Sequence, residues 1–267
     1  MATYLDAILD AHRSRAARDA RSTDALVELT AALPPTRGFR SALAQGTELR
    51  VIAEIKRRSP SKGPLAIDLD PATLAAAYSA GGASCLSVLT DEDHFGGSAD
   101  DLVAARAAVD LPVLRKDFTV SANDVCDARL MGADCVLLIA AALDDSELAD
   151  FAALAIGIGL DVLVEVHDEA ELDRAVAALG EDGPDAALFG VNQRDLVTFQ
   201  VDQERAVRVA ALMPEGSVRV AESGVRGRSD AEALAAAGYH AVLVGEHLVT
   251  SGDPAAALAR LRVPIAR

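Results

Sequence analysis

The chain of 267 residues is 51% hydrophobic, which is enough to bury one large core. Its 41 acidic and 25 basic residues give a net charge of −16, which argues against nucleic acid or an anionic membrane as the partner. The first residues carry no apolar core of the kind that a signal peptide has, and no apolar run approaches the roughly 20 residues of a membrane helix. We therefore expect a cytoplasmic protein, in which an anionic substrate needs a locally positive pocket.

The N-terminal part of the chain shows apolar residues at helical spacing from residue 3 to about 32. Pro34 and Pro35 end this pattern, because proline cannot continue a helix. The spacing predicts one or two amphipathic helices. We expect residues 1–45 to form a helical extension that packs on a barrel domain formed by residues 46–267.

From residue 50 onward, short apolar runs alternate with longer helical patterns. The runs are RVIAEI, CLSVL, PVLR, CVLLI, VLVEV, ALFGV, VRVAE and AVLV. Most are continuous, as in strands that are buried on both faces. Helix start signals lie between them, each a capping residue followed three positions later by an acid: Ser98 with Asp101, Asp168 with Glu171, and Ser229 with Glu232. Eight strand-then-helix units predict the α/β class, as a single closed (β/α)8 TIM barrel rather than an open doubly wound sheet.

The C-terminal strand ends form the active face of such a barrel, so the polar residues after each run are candidates for a site. They are Glu54, Lys56 and Ser59 after the first run, Asp91 and Asp93 after the second, Lys116 and Asp117 after the third, Glu165 after the fifth, Asn192 and Arg194 after the sixth, Glu222, Ser223 and Gly224 after the seventh, and Gly245 and Glu246 after the eighth. Lysines and glutamates that converge on one barrel mouth shift one another's pKa. Because Glu165 ends an apolar strand, we expect desolvation to bring its pKa into a range suited to proton transfer.

The chain contains only three lysines, Lys56, Lys62 and Lys116, and all three lie at the ends of predicted strands. Lysine can give up a proton, whereas arginine effectively cannot. A chain that uses arginine elsewhere and lysine here therefore suggests proton transfer at the barrel mouth.

The last two strand ends suggest a phosphate site. AESGVRG and VGEHLV place glycines and the start of a short helix where backbone N–H groups can bind an anion, and Ser59 and Lys62 can close the site from the first loop. The chain has no GxGxxG after its first strand, no GxxxxGK[ST] and no HExxH, and its three cysteines form no CxxC. We therefore expect carbonyl or carbanion chemistry run by Lys and Glu, with no cofactor and no metal.

Eight segments resemble, in this order, the indole-3-glycerol phosphate synthase family of tryptophan biosynthesis. They are IAEIKRRSPSKG, SVLTDEDHFGGS, PVLRKDF, GADCVLLIAA, LVEVHDEAEL, GVNQRDLVTF, AESGV and LVGEHLV. That family converts 1-(2-carboxyphenylamino)-1-deoxyribulose 5-phosphate to indole-3-glycerol phosphate, with loss of CO2 and water. The resemblance implies a lyase with a small phosphorylated substrate.

The resemblance also implies roles for individual residues. Lys116 would be the general acid that protonates the substrate carbonyl, Glu165 and Lys56 would serve the dehydration, and Glu54 and Asn192 would orient groups or stabilise charge. The implied phosphate ligands are Ser59, Gly224, Gly245 and the backbone N–H of Glu246. The implied substrate-binding residues are Arg194, Glu222 and Ser223, with Phe95, Phe118, Leu138 and Leu196 as apolar walls for the aromatic ring. Gln193 departs from the asparagine common in the family, and strand alternation predicts that it faces away from the site.

Two alternatives stay open at this point. Another phosphosugar barrel isomerase would use a Cys or Asp base and would not need Glu54, Lys56, Lys116 and Glu165 together. A catalytically inactive barrel could bind a phosphorylated metabolite, although a pure binding site gains nothing from clustered Lys and Glu. We expect a monomer, but the pattern does not decide the oligomeric state.

Overall fold

Eight parallel strands close into a barrel in the computed structural model, which describes residues 4–180, 187–195 and 199–265. The strands, each hydrogen-bonded to the next and the last to the first, are β1 (Arg50–Ile55), β4 (Cys85–Leu89), β5 (Val113–Lys116), β6 (Cys135–Ile139), β7 (Asp161–Val166), β8 (Ala187–Asn192), β9 (Val218–Glu222) and β10 (Ala241–Val244). A two-stranded hairpin, β2 (Arg58–Ser59) and β3 (Gly63–Pro64), lies in the loop after β1. The predicted (β/α)8 fold is confirmed.

Helices precede the barrel and connect its strands. They are α1 (Tyr4–Ala16), α2 (Thr23–Thr30), α3 (Phe39–Ala44), α4 (Pro71–Ala80), α5 (Glu92–Phe95), α6 (Ala99–Ala108), α7 (Ala122–Leu130), α8 (Asp145–Gly157), α9 (Glu169–Leu179), α10 (Gln203–Ala210), α11 (Arg228–Ala236), α12 (Glu246–Val249) and α13 (Pro254–Ala259). Within the described ranges, no helix has both the length and the apolar character that crossing a membrane requires.

Side-chain caps fix where several helices begin. Ser98 Oγ accepts the Asp101 N–H at 3.2 Å before α6, and Asp168 Oδ1 accepts the Glu171 N–H at 2.8 Å before α9, as the sequence predicts. The predicted cap at Ser229 is wrong, because Gly227 occupies the N-cap of α11 and Ser229 lies inside the helix. The helix therefore begins one residue before its expected cap.

The helices α2 and α3 attach to different parts of the barrel. Helix α2 packs against α7, and Arg21, just before it, makes two hydrogen bonds of 2.9 and 2.8 Å with the carboxylate of Asp127. Helix α3 buries Phe39 and Leu43 completely and contacts β4 and β9. The Arg40 N–H donates to Asp161 at the start of β7 at 2.8 Å, so α3 covers the end of the barrel where the strands begin.

Candidate active site

A cavity of about 720 Å³ opens at the C-terminal ends of the barrel strands. Sixteen of the sequence-predicted site residues line it: Glu54, Lys56, Ser59, Lys62, Phe95, Lys116, Asp117, Phe118, Glu165, Asn192, Arg194, Glu222, Ser223, Gly224, Gly245 and Glu246. Seven of the eight strands or the loops after them supply these residues, which are far apart in the sequence. The parallel barrel brings them together because all its strands end at the same mouth.

Leu138 does not line the cavity, so its expected place in the apolar wall is wrong. Successive side chains of a strand point to opposite faces, and in β6 it is Leu137 and Ile139 that line the cavity. Leu138 is fully buried on the other face of the strand. Leu196 lies outside the described residues.

Lys116 lines the cavity and lies between two carboxylates. Its Nζ is 3.0 Å from Glu165 Oε2 and 3.7 Å from Glu222 Oε2. Asn192 Nδ2 donates to the other oxygen of Glu165 at 3.1 Å. Both carboxylates are almost completely buried, so water screens these interactions weakly.

Glu165 is held in its ionised form. Burial alone would raise its pKa, but Lys116, His167 and the hydrogen bond from Asn192 outweigh burial and lower the pKa to about 2. The expectation that desolvation brings this pKa into a range suited to proton transfer is therefore wrong for the free protein. The sequence shows the apolar strand around Glu165, but it does not show the cations that face it.

The pKa of Glu222 is shifted in the opposite direction. Burial, followed by the negative charge of Glu165, raises its pKa well above the usual value. Among the described residues, no group forms a hydrogen bond with Glu222 Oε1, and a Cβ at the neighbouring Gly190 would collide with this oxygen. The glycine on β8 thus leaves room for a buried carboxylic acid. Burial lowers the pKa of Lys116, but Glu165 and Glu222 outweigh it and the net shift is upward, so the ammonium persists.

A second ion pair lies at the end of β1. Lys56 Nζ donates to Glu54 Oε1, and the Tyr78 hydroxyl donates to the backbone carbonyl of Glu54 at 3.1 Å. A Cβ at Gly245 would collide with the Glu54 carboxylate. The pair therefore fits against β10 only because glycine occupies this position.

The proposed phosphate ligands meet at one side of the cavity. Gly224 has φ +73°, and Ser223 before it has φ 65°, which is unusual for a residue other than glycine. The amide of Gln193 donates to the Ser223 carbonyl at 2.8 Å, so Gln193 faces away from the cavity and supports this turn. Glu246 begins α12, and its carboxylate lies 3.6 Å from Lys62 Nζ and 3.9 Å from Arg194 Nη2.

Helix α1 contributes Tyr4, Leu5 and Ile8 to the cavity, which the sequence reasoning missed. Their helical spacing was visible, but nothing in the sequence shows that this face covers the barrel mouth. Tyr4 packs edge-on against Phe199, with ring centroids 5.7 Å apart. Phe95 and Phe118 also line the cavity, and their ring centroids are 6.3 Å apart. Together these side chains give the cavity an apolar wall.

His12 anchors α1 to the barrel. The Nδ1 atom lies 2.7 Å from Arg15 Nη2, which can only donate, so the ring proton resides on Nε2 and is donated to Asp91 Oδ2 at 3.0 Å. His12, Asp91 and Asp117 have potential metal-ligand atoms within 4.8 Å of one another. Arg15 Nη2 also contacts His12, and Arg115 Nη2 donates to Asp117 at 3.0 Å, so these side chains form a hydrogen-bonded anchor for α1.

A barrel mouth with paired Lys and Glu groups, glycine-containing turns and an apolar wall is typical of acid–base enzymes for small phosphorylated substrates. The model of the family "Indole-3-glycerol phosphate synthase" matches residues 5–261. The chain belongs to the indole-3-glycerol phosphate synthase family, and its function is that of a decarboxylating lyase of tryptophan biosynthesis.

Relatives of this family match nearly the whole chain. Indole-3-glycerol phosphate synthase 2 of Streptomyces coelicolor is 51% identical over 92% of this chain and 93% of its own. Indole-3-glycerol phosphate synthase of Micrococcus luteus is 53% identical over 89% of this chain and 88% of its own. Among solved structures, 3-hexulose-6-phosphate synthase is similar with a TM-score of 0.61 and 19% identity, covering 82% of this chain and all of that chain. At this low identity, the structural similarity shows only that the two proteins share a fold.

Proposed function

We propose that the cavity binds 1-(2-carboxyphenylamino)-1-deoxyribulose 5-phosphate and that Lys116 acts as the general acid of ring closure. The observation that carries this assignment is the position of Lys116 Nζ in the cavity wall, 3.0 Å from Glu165 and 3.7 Å from Glu222. The upward shift of its pKa keeps a proton available on the ammonium at neutral pH.

Ring closure joins the aromatic carbon that bears the carboxylate to the ketone carbon of the sugar chain. The ketone oxygen takes a proton from Lys116 and becomes a hydroxyl. The carbon–carbon bond to the carboxylate then breaks, CO2 leaves, and its electron pair restores the aromatic ring. Because the substrate carbonyl must approach Lys116, it displaces Glu165 from the ammonium and weakens the hold of Lys116 on its proton.

Dehydration then needs one proton for the leaving hydroxyl and a base for a proton of the five-membered ring. Glu165, ionised in the free protein, is the proposed base, and Lys56 is the proposed acid. Glu54 holds the Lys56 ammonium, and Asn192 fixes the Glu165 carboxylate at 3.1 Å. The two groups are thus oriented before the substrate arrives.

Binding is divided between the two sides of the cavity. We assign the phosphate to Ser59, Gly224, Gly245 and the N–H of Glu246, with Lys62 and Arg194 as nearby positive charges. The anthranilate ring lies against Phe95, Phe118 and the apolar side chains of α1. We also propose a cytoplasmic location, which the acidic charge and three buried free cysteines support.

The test compares the wild type with Lys116→Arg and Lys116→Met in single-turnover indole formation at saturating substrate. Indole-type fluorescence is the readout, and the chain contributes no tryptophan background. We expect both variants to lose at least about 10²-fold in kcat, because arginine keeps the charge but holds its protons too tightly. Near-normal turnover of the Arg variant would make Lys116 a fixed charge. A wild type that binds the substrate without forming product would support an inactive binding barrel.

A further inference from the structure

His167 is a buried group that the proposed mechanism does not use. It follows β7, two positions after Glu165, and only 9% of its surface is exposed. Its Nε2 lies 3.5 Å from Glu165 Oε1 and has no hydrogen-bond partner among the described residues. Burying a ring nitrogen with nothing bound to it is unfavourable unless the nitrogen has another electrostatic partner.

The other side of the ring is fixed by α9. Glu171 Oε2 lies 3.1 Å from His167 Nδ1 and also accepts the His167 backbone N–H at 2.8 Å. Glu171 is itself fixed, because its N–H donates to Asp168 Oδ1 at 2.8 Å in the first turn of the helix. A carboxylate can only accept, so Nδ1 carries a proton.

This arrangement determines where a second proton must go. With Nδ1–H held by Glu171, a neutral ring would present the lone pair of Nε2 to the Glu165 carboxylate, which is repulsive. A protonated ring presents Nε2–H to Glu165 instead. Only the imidazolium form therefore satisfies the carboxylates on both sides of the ring.

We propose that His167 is a positioning residue for Glu165, and that its imidazolium, held by Glu171, keeps the Glu165 carboxylate ionised and aimed into the cavity. This inference rests on the proposed role of Glu165 as the base. It adds a chain of three groups, Glu171, His167 and Glu165, that runs from α9 through the wall of the barrel to the reacting atoms.

The charged groups around the ring agree with this protonation state. Burial lowers the pKa of His167, but Glu171 and Glu165 outweigh it, and the net pKa is raised above 6.5. Arg205 of α10 is the opposing charge and lowers the pKa. Arg205 Nη1 also donates to the backbone carbonyl of Asn192 at 3.2 Å, so the guanidinium is hydrogen-bonded to the end of β8.

Two amide variants separate the two sides of the ring. In His167→Asn the amide replaces Nδ1 and keeps the contact with Glu171, whereas in His167→Gln it reaches the position of Nε2. We expect His167→Asn to lower kcat by about tenfold with KM changed less than about threefold, and His167→Gln to recover part of the loss. In both variants the acidic limb of the kcat profile should move to higher pH, because Glu165 loses a facing positive charge.

The control is His240→Asn, in a half-buried histidine whose Nδ1 accepts the Arg219 N–H at 3.1 Å. It should leave the pH profile unchanged. If His167→Asn and His167→Gln lower kcat equally and leave the acidic limb in place, His167 only fills space. An unchanged kcat in both variants would also overturn the proposal.

A measurement without substrate keeps this inference separate from the proposed function. Titration of the His167 ring by nitrogen NMR should give a midpoint above the ordinary value of about 6.5 in the wild type. The midpoint should fall by about one pH unit in Glu165→Gln, which removes the facing charge. An unchanged midpoint would refute the contact between His167 and Glu165, whatever the activity. A lowered midpoint in a protein that forms no indole would refute only the proposed function.

Discussion

The side chains around Lys116 show how neighbouring groups of the same type acquire different chemistry. Glu165 and Glu222 are both buried and both face one ammonium, yet the pKa of the first is lowered and that of the second is raised. The difference arises from their other partners. Glu165 has His167 and Asn192, whereas Glu222 has an oxygen without a hydrogen bond beside Gly190.

Substituting each carboxylate by its amide tests this assignment. Glu165→Gln removes the ionised base, and we expect kcat to fall by about 10²-fold while substrate still binds. Glu222→Gln replaces a carboxyl group whose raised pKa favours the neutral form, so kcat should fall by less than about tenfold. Steady-state kinetics at neutral pH gives both values. An equal loss in the two variants would show that Glu222 also acts as an anion.

The same assignment predicts how stability depends on pH. Because the folded pKa of Glu222 is raised, its contribution to stability is complete below the unfolded pKa of about 4.3 and is lost as pH rises toward the folded pKa. Glu222→Gln removes this loss. When the pH is raised from 5 to 8, we expect the Tm of the variant to fall by less than the Tm of the wild type. A steeper fall in the variant would contradict the raised pKa of Glu222.

Helix α1 is the element that closes the apolar side of the cavity. His12 fixes it to Asp91, and Arg13 donates to Glu147 of α8 at 2.7 Å and to the Ala142 carbonyl at 2.9 Å. These contacts place the face with Leu5 and Ile8 over the barrel mouth. The helix therefore lines the cavity without belonging to the barrel, and we expect it to contribute to substrate binding.

Deleting residues 1–17 should leave a folded barrel that binds substrate less well. We expect KM to rise by about tenfold, which corresponds to about 1.4 kcal/mol of lost binding. Deleting residues 1–44 should be far more damaging, because it removes the buried Phe39 and Leu43 of α3. Thermal unfolding and KM measured together distinguish the two effects. Full kcat/KM in the shorter deletion would show that α1 is not part of the site.

The sequence predicts the elements of this fold well because each strand is a local apolar run and each barrel strand ends at the same mouth. It fails where a contact depends on distant residues. Ile139 and Leu138 are adjacent in one apolar run, and only the orientation of β6 decides which lines the cavity. The charge on Glu165 depends on Lys116 and His167, and the cover over the mouth depends on where α1 docks. None of these has a local signal.

At the scale of the whole molecule, Asp134 connects several elements at the end of the barrel where the strands begin. Its Oδ1 accepts the Arg37 N–H at 2.7 Å, ahead of α3, and its Oδ2 accepts the Val113 N–H at 2.8 Å at the start of β5. Arg106 of α6 forms a salt bridge with the same carboxylate. Asp134 is completely buried, so each of these donors depends on it.

Asp134→Ala should destabilise the protein by about 3–5 kcal/mol, because it leaves a partly buried arginine and two backbone donors without their acceptor. Asp134→Asn keeps one acceptor and should cost less. The exposed pair of Arg228 and Glu232 is the control, and Arg228→Ala should change stability by less than about 1 kcal/mol. Urea unfolding measures all three. Since Asp134 is remote from the mouth, KM of the folded variants should not change.

The scarcity of lysine has a practical consequence for handling this protein. Lys56, Lys62 and Lys116 are the only lysines of the chain, and all three line the cavity. Lys62 is the accessible one, with 55% of its side chain exposed, and it lies beside the proposed phosphate ligands. Reagents that acylate lysine will therefore react at the barrel mouth, and inorganic phosphate should slow the reaction. Attachment to surfaces or dyes through lysine would block turnover, whereas attachment through an introduced surface thiol would spare it.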